Sequence, residues 1–458
     1  MRRAEEFFLR HERLFELLFA LACFLFYLAW AMAKWENYGP DENMRLMIPR
    51  YILKHGALPT GWEGEVLQGS WGISYGFKPT QLPALLSALF MKIASLLGAS
   101  GDALVVAARL TSVFAGAGGI LVLFRAMGKL FSRPVKWFLV ILTASIPQYA
   151  FLSSYVNNDI VAVFGTFLIL WAWILAARDG WSVRGVVVLA IGIGVVGLSY
   201  FNAFGWILMS IFYFFLTQDY PRREDAPEVR REKKKKILKV FLLVFCLAAA
   251  ILLPLYLRNL LLHGDLLGDA AMAASQAGRA DPEFMASLPA TPQSEGLSLW
   301  QMLSRDRFVW PRITIRSFFG CFGFMKYYLP LPFYVFYYLV FGAGLLLSVL
   351  ALLGARKAKT SVLASAGISR RRSAALGFCA FAGIVITLSL YTWYAYASDY
   401  QAQGRYIYPA LAGVLLFLGI GYSRPKRLPK AFWLVLYAAL IGSALAAYFG
   451  VYLPTPLS

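Results

Sequence analysis

The sequence predicts an all-α, polytopic integral membrane protein. Hydrophobic residues make up 59% of its 458 residues and charged residues only 15%. Apolar segments of roughly twenty residues recur, the length that a ~30 Å hydrocarbon core demands. The net charge is +20, but Lys and Arg gather in short clusters between apolar runs. That is the pattern of cytoplasmic loops facing anionic lipid, not of a nucleic-acid surface. The four cysteines have no metal-type spacing and point to no disulfide framework.

The N-terminus carries Arg2, Arg3, Arg10 and Arg13 and is expected in the cytoplasm. The first span, 14–33, has no small-residue cleavage site and reads as retained. A polar, acid-bearing loop, 34–104, then lies outside. Within it, segment 82–98 contains Pro83 and Lys92 and admits two readings. If it crosses the membrane, the basic clusters in 125–136, 222–239, 356–372 and 424–430 all fall outside. If it lies along the interface as an amphipathic helix, all fall inside, and the charge bias is satisfied throughout. The interfacial reading is therefore adopted. The remaining spans follow at 105–127, 136–153, 160–178, 185–199, 203–217, 238–257, 332–353, 375–396, 405–422 and 431–452, about eleven with the first, which leaves the C-terminus outside. A second long outside loop, 259–331, is Ala-, Ser- and Pro-rich in its middle, as lids often are. The run Lys233 to Lys236 reads as an orientation signal in contact with membrane lipid.

This topology gathers acids, amides and arginines at one membrane face, where ionisable groups are functional candidates. Gly39-Pro40 makes a turn before Asp41 and Glu42. Asp41 has a bland reading as a helix N-cap and a functional one as a general base or metal ligand. Lys78 either snorkels or neutralises a phosphate. Arg258 and Arg405, outside against the positive-inside bias, present the planar fork suited to phosphate, and Tyr406 adjoins the second. Asp159, after Asn157 and Asn158, reads either as a cap or as a supporting acid. Arg109 stands near the outer end of a span, placed to meet an acid of the first loop. Glu63, Glu65, Asp265 and Asp399 complete the outside acids. His11, His55 and His263 show no zinc spacing. No Gly-rich nucleotide loop occurs, so a transferase acting at the outer face would need a lipid-carried donor.

Three stretches carry a resemblance. Pro40-Asp41-Glu42 after the first span, Lys78-Pro79 ahead of the interfacial segment, and Ala108-Arg109-Leu110 in the next span resemble the GT-C membrane glycosyltransferases. The nearest types are the protein O-mannosyltransferases and the lipid A aminoarabinose transferase. Leu257-Arg258-Asn259, His263-Gly264-Asp265, Ser317 to Gly320 and Gln403-Gly404-Arg405-Tyr406 resemble a bacterial family of polytopic membrane proteins associated with surface polysaccharides. The resemblance implies a seven-span catalytic module, 1–258, and a variable C-terminal module, 259–458, in the plasma (inner) membrane. It implies inverting transfer from a polyprenyl-phosphate sugar to a glycan, lipid or protein acceptor. Asp41 would be the base and Glu42 its neighbour in the acid pair. Lys78 would face the donor phosphate, and Asp159 would be the acid of the second outer loop. A divalent metal ion is the one cofactor it admits, but Phe77 stands where a glutamate precedes the lysine in the aminoarabinose-transferase type, and Thr80 replaces a second proline. Glu63 and Glu65 are the replacement ligands on offer. A glycolipid transporter and a non-catalytic glycan-assembly protein are the alternatives. The transporter is disfavoured because polar residues cluster at one face and internal repeats are absent.

Overall fold

The structure is a computed structural model that describes residues 6–7, 10–425 and 428–456. Arg2, Arg3, Lys426 and Arg427, part of the expected orientation signals, lie outside the described residues. The fold is 74% helical, with almost no strand. Helix α1 (Glu12–Met32) is followed by α2 (Glu42–His55), α3 (Leu82–Leu96) and α4 (Asp102–Met127). Then come α5 (Arg133–Ser145), α6 (Pro147–Leu152), α7 (Asp159–Asp179), α8 (Val183–Gly197), α9 (Phe204–Thr217) and α10 (Pro227–His263). The outer segment holds α11 (Asp269–Arg279), α12 (Pro282–Ser287) and α13 (Leu299–Phe319), the last kinked by non-helical backbone from Arg305 to Phe308, then a two-stranded hairpin pairing Cys321 with Tyr328 and Phe322 with Tyr327. Helices α14 (Leu331–Lys357), α15 (Arg370–Ala397), α16 (Leu411–Tyr422) and α17 (Lys430–Ala447) close the bundle.

Among the described residues, eight helices are long and apolar enough to cross a membrane. The other three expected spans are shorter. The segment 136–153 is broken at Ile146, whose extended backbone (ψ 116°) is what a residue before proline prefers. Helices α8 and α9 have 15 and 14 residues.

Helix α3 flanks only the first half of α4. Ser87 Oγ donates to the Ala108 carbonyl at 3.0 Å, and Met91 packs with Val105 and Ala108. The end of α1 meets the start of α4 through Arg109, which donates to the carbonyls of Ala31 and Lys34. The chain therefore leaves α1 and enters α4 at the same end of the bundle, and α3 does not carry it across. Leu89, Ile93, Leu96 and Leu97 stay exposed on its outer side.

At the far end of the bundle α1 is clasped by ion pairs. Lys136 bridges Glu12 and Glu16 at 2.7 Å each, and Arg125 reaches Glu16 at 2.9 Å. Arg372 donates there to the Ala177 carbonyl at the C-terminal end of α7. The core between the ends is aromatic, with Trp173 stacked on Trp206 and Tyr213.

The outer segment 259–331 is largely helical, where the sequence suggested a loop with a lid-like middle. Its helices interlock with the first outer loop. Asn259 donates to the Phe77 carbonyl at 2.6 Å, Ser275 to the Gly72 carbonyl at 2.7 Å, and Arg279 to the Trp62 carbonyl at 3.0 Å. These partners lie about two hundred residues away in sequence, so local composition carried no sign of them. The boundary expected after residue 258 falls inside α10.

Candidate active site

The acidic turn is assembled from two buried arginines. Glu42 is fully buried. Arg109 grips it with Nε at 2.7 Å and Nη2 at 2.8 Å. The backbone N–H groups of Val156 and Asn37 donate to the same carboxylate at 3.0 Å each. Arg109 also donates to the carbonyls of Ala31, Lys34 and Trp35. All hydrogen-bonding capacity of this pair is used within the fold, as a buried ion pair requires. It ties α1, α2, α4 and the loop before α7 at one point.

Asp41 faces the other way. It occupies the N-cap position of α2, yet its side chain makes no capping bond. Its backbone is left-handed (φ +62°), an uncommon conformation that Asp tolerates better than most residues. The turn aims its carboxylate at Arg405, whose Nη2 donates to Oδ2 at 2.7 Å. Arg405 is buried, while the Asp41 side chain is 35% exposed. One oxygen is thus held from the inside and the group still opens outward. Burial pushes the Asp41 carboxyl up, but the Arg405 and Arg45 charges outweigh it and hold it below the usual carboxylate range.

Arg405 comes from the short 3-10 turn Gly404–Ala410. It contacts the Pro40 carbonyl and donates to the Tyr406 hydroxyl at 3.2 Å. The Tyr406 hydroxyl donates to Gln401 Oε1 at 3.0 Å, and Gln401 reaches Asp399. Burial pushes the Asp399 carboxyl up. Gly404 is required for this placement. Its N–H donates to Ser317 Oγ at 2.7 Å, and a Cβ there would overlap the backbone N and Cα of Phe318. Gly404→Ala is expected to displace Arg405 and lower the unfolding midpoint, with a cost of about 1–3 kcal/mol for overpacking. Thermal unfolding followed by tryptophan fluorescence would read it, and an unchanged midpoint would show that the α13 backbone yields freely.

Asp159 is buried with Oδ1 unpartnered. It does not cap α7, because Asn157 Oδ1 accepts the Ile160 N–H at 3.0 Å. Asn158 donates instead to the Ser199 carbonyl at 2.8 Å. Lys78 is buried and paired with Asp269, the first residue of α11. Arg258 donates to the carbonyls of Leu58 and Pro59. Three candidate acids sit apart from this cluster. Glu63 accepts from Thr60 and Gly61 in its own turn. Glu65 is exposed and pairs with Lys54 and His55. Asp265 accepts the N–H groups of Leu267 and Ala270, ordering the entry to α11. Among the described residues, no group of three or more His, Cys, Asp or Glu converges to hold a metal ion. Asp41 and Asp159 share their surroundings with two guanidiniums, which oppose a cation.

Two charged groups of the site were absent from the sequence-level candidates. Asp269 is the partner of Lys78. Arg45 lies one helical turn after Asp41, and its N–H donates to the Asp41 carbonyl at 3.0 Å. Its guanidinium stacks over the Tyr75 ring at 4.2 Å. The i, i+4 spacing from Asp41 was the available signal.

This fold is that of the GT-C membrane glycosyltransferases. The oligosaccharyltransferase AglB from Archaeoglobus fulgidus, in complex with an inhibitory peptide and a dolichol-phosphate, matches 95% of this chain and 55% of its own at 14% identity and a TM-score of 0.54. ArnT from Cupriavidus metallidurans, bound to undecaprenyl phosphate, matches 95% of this chain and 63% of its own at 17% identity and a TM-score of 0.50. An Archaeoglobus fulgidus oligosaccharyltransferase in complex with zinc and sulfate matches 93% of this chain and 52% of its own at 14% identity and a TM-score of 0.51. The chain thus spans less than two thirds of the length of these enzymes. No curated protein matches it. A family model described as "Predicted membrane protein (DUF2142)" matches residues 82–414, and the chain belongs to that family.

Proposed function

We propose that this protein is an inverting membrane glycosyltransferase that moves a sugar from a polyprenyl-phosphate donor to an acceptor hydroxyl. The reading rests chiefly on Asp41, a carboxylate that caps no helix, is kept ionised, and opens outward beside a buried arginine. In the reaction, the acceptor oxygen attacks the anomeric carbon as its proton passes to Asp41. The bond from that carbon to the phosphate oxygen breaks, and its electron pair leaves with polyprenyl phosphate. General-base assistance of this kind is worth about 10²–10⁴-fold.

The supporting residues take different parts. Arg405 orients Asp41, and Tyr406 with Gln401 and Asp399 extends that contact. Glu42, with Arg109, fixes the turn from behind and touches no reactant. Lys78 is assigned to the donor phosphate, for which it would release Asp269. Arg258 holds the first outer loop on α10. Asp159, buried with Oδ1 unpartnered, is assigned to the sugar. Glu63, Glu65 and Asp265 shape the loops around the site. No step is routed through a metal, since among the described residues no ligand set converges.

Orientation follows from charge. Helix directions put Arg125, Arg133, Lys136, Lys233, Arg356 and Arg372 at the end opposite Asp41. The positive-inside bias makes that end cytoplasmic, which sets the site and the C-terminal end of α17 outside. Similarity to enzymes solved with dolichol-phosphate and undecaprenyl phosphate supports a lipid-linked donor. The test incubates purified protein with polyprenyl-phosphate sugars and a cell-envelope extract as acceptor. Labelled sugar is expected to leave the lipid fraction and enter the extract. Movement of intact labelled lipid across a liposome bilayer, without its cleavage, would instead establish a transporter.

A further inference from the structure

We infer that Arg45 is a further contact, beside Lys78, for the anionic headgroup of the lipid donor, through the free edge of its guanidinium. The inference rests on the glycosyl-transfer reading and deepens it by assigning a further phosphate contact.

It begins with how the cations near the site are used. Arg109 is saturated by Glu42 and three carbonyls. Arg258 is spent on two carbonyls. Arg405 is engaged by Asp41, the Pro40 carbonyl and the Tyr406 hydroxyl. Lys78 has Asp269, and Arg50 has Glu36. Among the described residues, the Arg45 guanidinium makes no hydrogen bond and no ion pair. Its contact is the face of the Tyr75 ring.

That contact has a consequence for geometry. Seated over that ring at 4.2 Å and without a hydrogen bond of its own, the guanidinium keeps its N–H donors for a ligand, and such a fork binds phosphate with two parallel hydrogen bonds. Arg45 is half-buried, so its charge is less screened than one at the surface. Its helical register places it on the same side of α2 as Asp41, and Asp159 and Arg405 also act on it electrostatically. Around it, Arg405 Nε and Asp159 Oδ1 are buried without partners. Unsatisfied buried polar atoms call for an explanation. A phosphate carrying a hydroxylated sugar supplies one, with its anion on Arg45 and sugar hydroxyls near Asp159 and Arg405. Bound there, the phosphate would lie close to the base, as transfer requires.

The test compares binding of undecaprenyl phosphate with binding of undecaprenol, its uncharged counterpart, by native mass spectrometry of the detergent-solubilised full chain. Wild-type protein is expected to favour the phosphate form. Arg45→Gln is expected to weaken the phosphate form by roughly 10- to 100-fold, the size of a lost charge-assisted hydrogen bond, and to leave undecaprenol unchanged. Arg45→Lys keeps the charge and is expected to restore part of the preference. Because Arg45 has no polar partner to lose, the unfolding midpoint of either variant should stay near that of the wild type. An Arg45→Gln protein that kept the full preference would overturn the inference while leaving the glycosyl-transfer reading intact. A wild type with no preference for the phosphate form would overturn both. Inorganic phosphate at matched concentration is expected not to compete. Full competition would show that free phosphate, not a lipid headgroup, is recognised, and would overturn the assignment to the donor.

Discussion

Asp41→Asn is expected to lower sugar transfer by about 10²–10⁴-fold while leaving fold and lipid-phosphate binding in place. Asparagine keeps an oxygen that can accept from Arg405 Nη2, which stands 2.7 Å from Asp41 Oδ2. The turn and the buried arginine therefore retain their geometry, and the group able to take a proton is what disappears. Rates of donor cleavage measured beside lipid-phosphate affinity would separate the two effects. A variant with wild-type rates would remove Asp41 from the chemistry. The pH dependence has a definite sign. Arg405 and Arg45 outweigh burial and hold the folded Asp41 carboxyl below its unfolded value. The stabilisation from the Asp41–Arg405 pair is thus fully present above the unfolded pKa and is lost as pH falls through the folded one. Transfer should persist into mildly acidic solution and fall only when Asp41 takes up a proton.

The second large effect belongs to the pair behind the turn. Glu42→Gln or Arg109→Met is expected to destabilise the protein by about 3–5 kcal/mol, since each leaves a buried charge or its donors without a partner. Arg109 is 2% exposed and Glu42 is fully buried, so solvent cannot fill the gap. Four chain segments meet on this pair, and the loss should appear as a lower unfolding midpoint with poor recovery of monodisperse protein. The double variant Glu42→Met with Arg109→Met should recover part of the stability, because no charge is then stranded. A single variant with an unchanged midpoint would mean that the pair is not a keystone.

Glu42 and Asp41 are neighbours in sequence and different in kind, and their spacing could not reveal that. The sequence resolved the features that repeat or lie close together. Apolar runs of about twenty residues marked the long helices, and the placement of Lys and Arg separated the two ends of the bundle. The 34–104 segment was assigned to one end, where α3 indeed begins and ends on the near half of α4. Asp41 and Arg405 were both singled out, although nothing local linked positions so distant. What was missed depends on contacts between remote segments. Arg45 reads locally as one polar residue on an amphipathic helix, and its lack of a partner exists only once Tyr75 and Arg405 are in place. Asp269 meets Lys78 only because α11 folds back over the first loop. The helices within 259–331 dock on remote segments, as Ser275 does on Gly72 and Arg279 on Trp62, which the sequence does not bring together. The break at Ile146 was legible in principle from Pro147, but the apolar run on both sides masked it.

The most direct test is to follow a polyprenyl-phosphate sugar through one round of transfer and determine the anomeric configuration of the product by NMR. Attack by an acceptor hydroxyl activated by Asp41 displaces the lipid phosphate in a single step. The account therefore predicts release of polyprenyl phosphate together with inversion at the anomeric carbon. Retention of configuration would contradict the role assigned to Asp41. No release from any polyprenyl-phosphate sugar tried, in the presence of the envelope extract, would contradict glycosyl transfer itself.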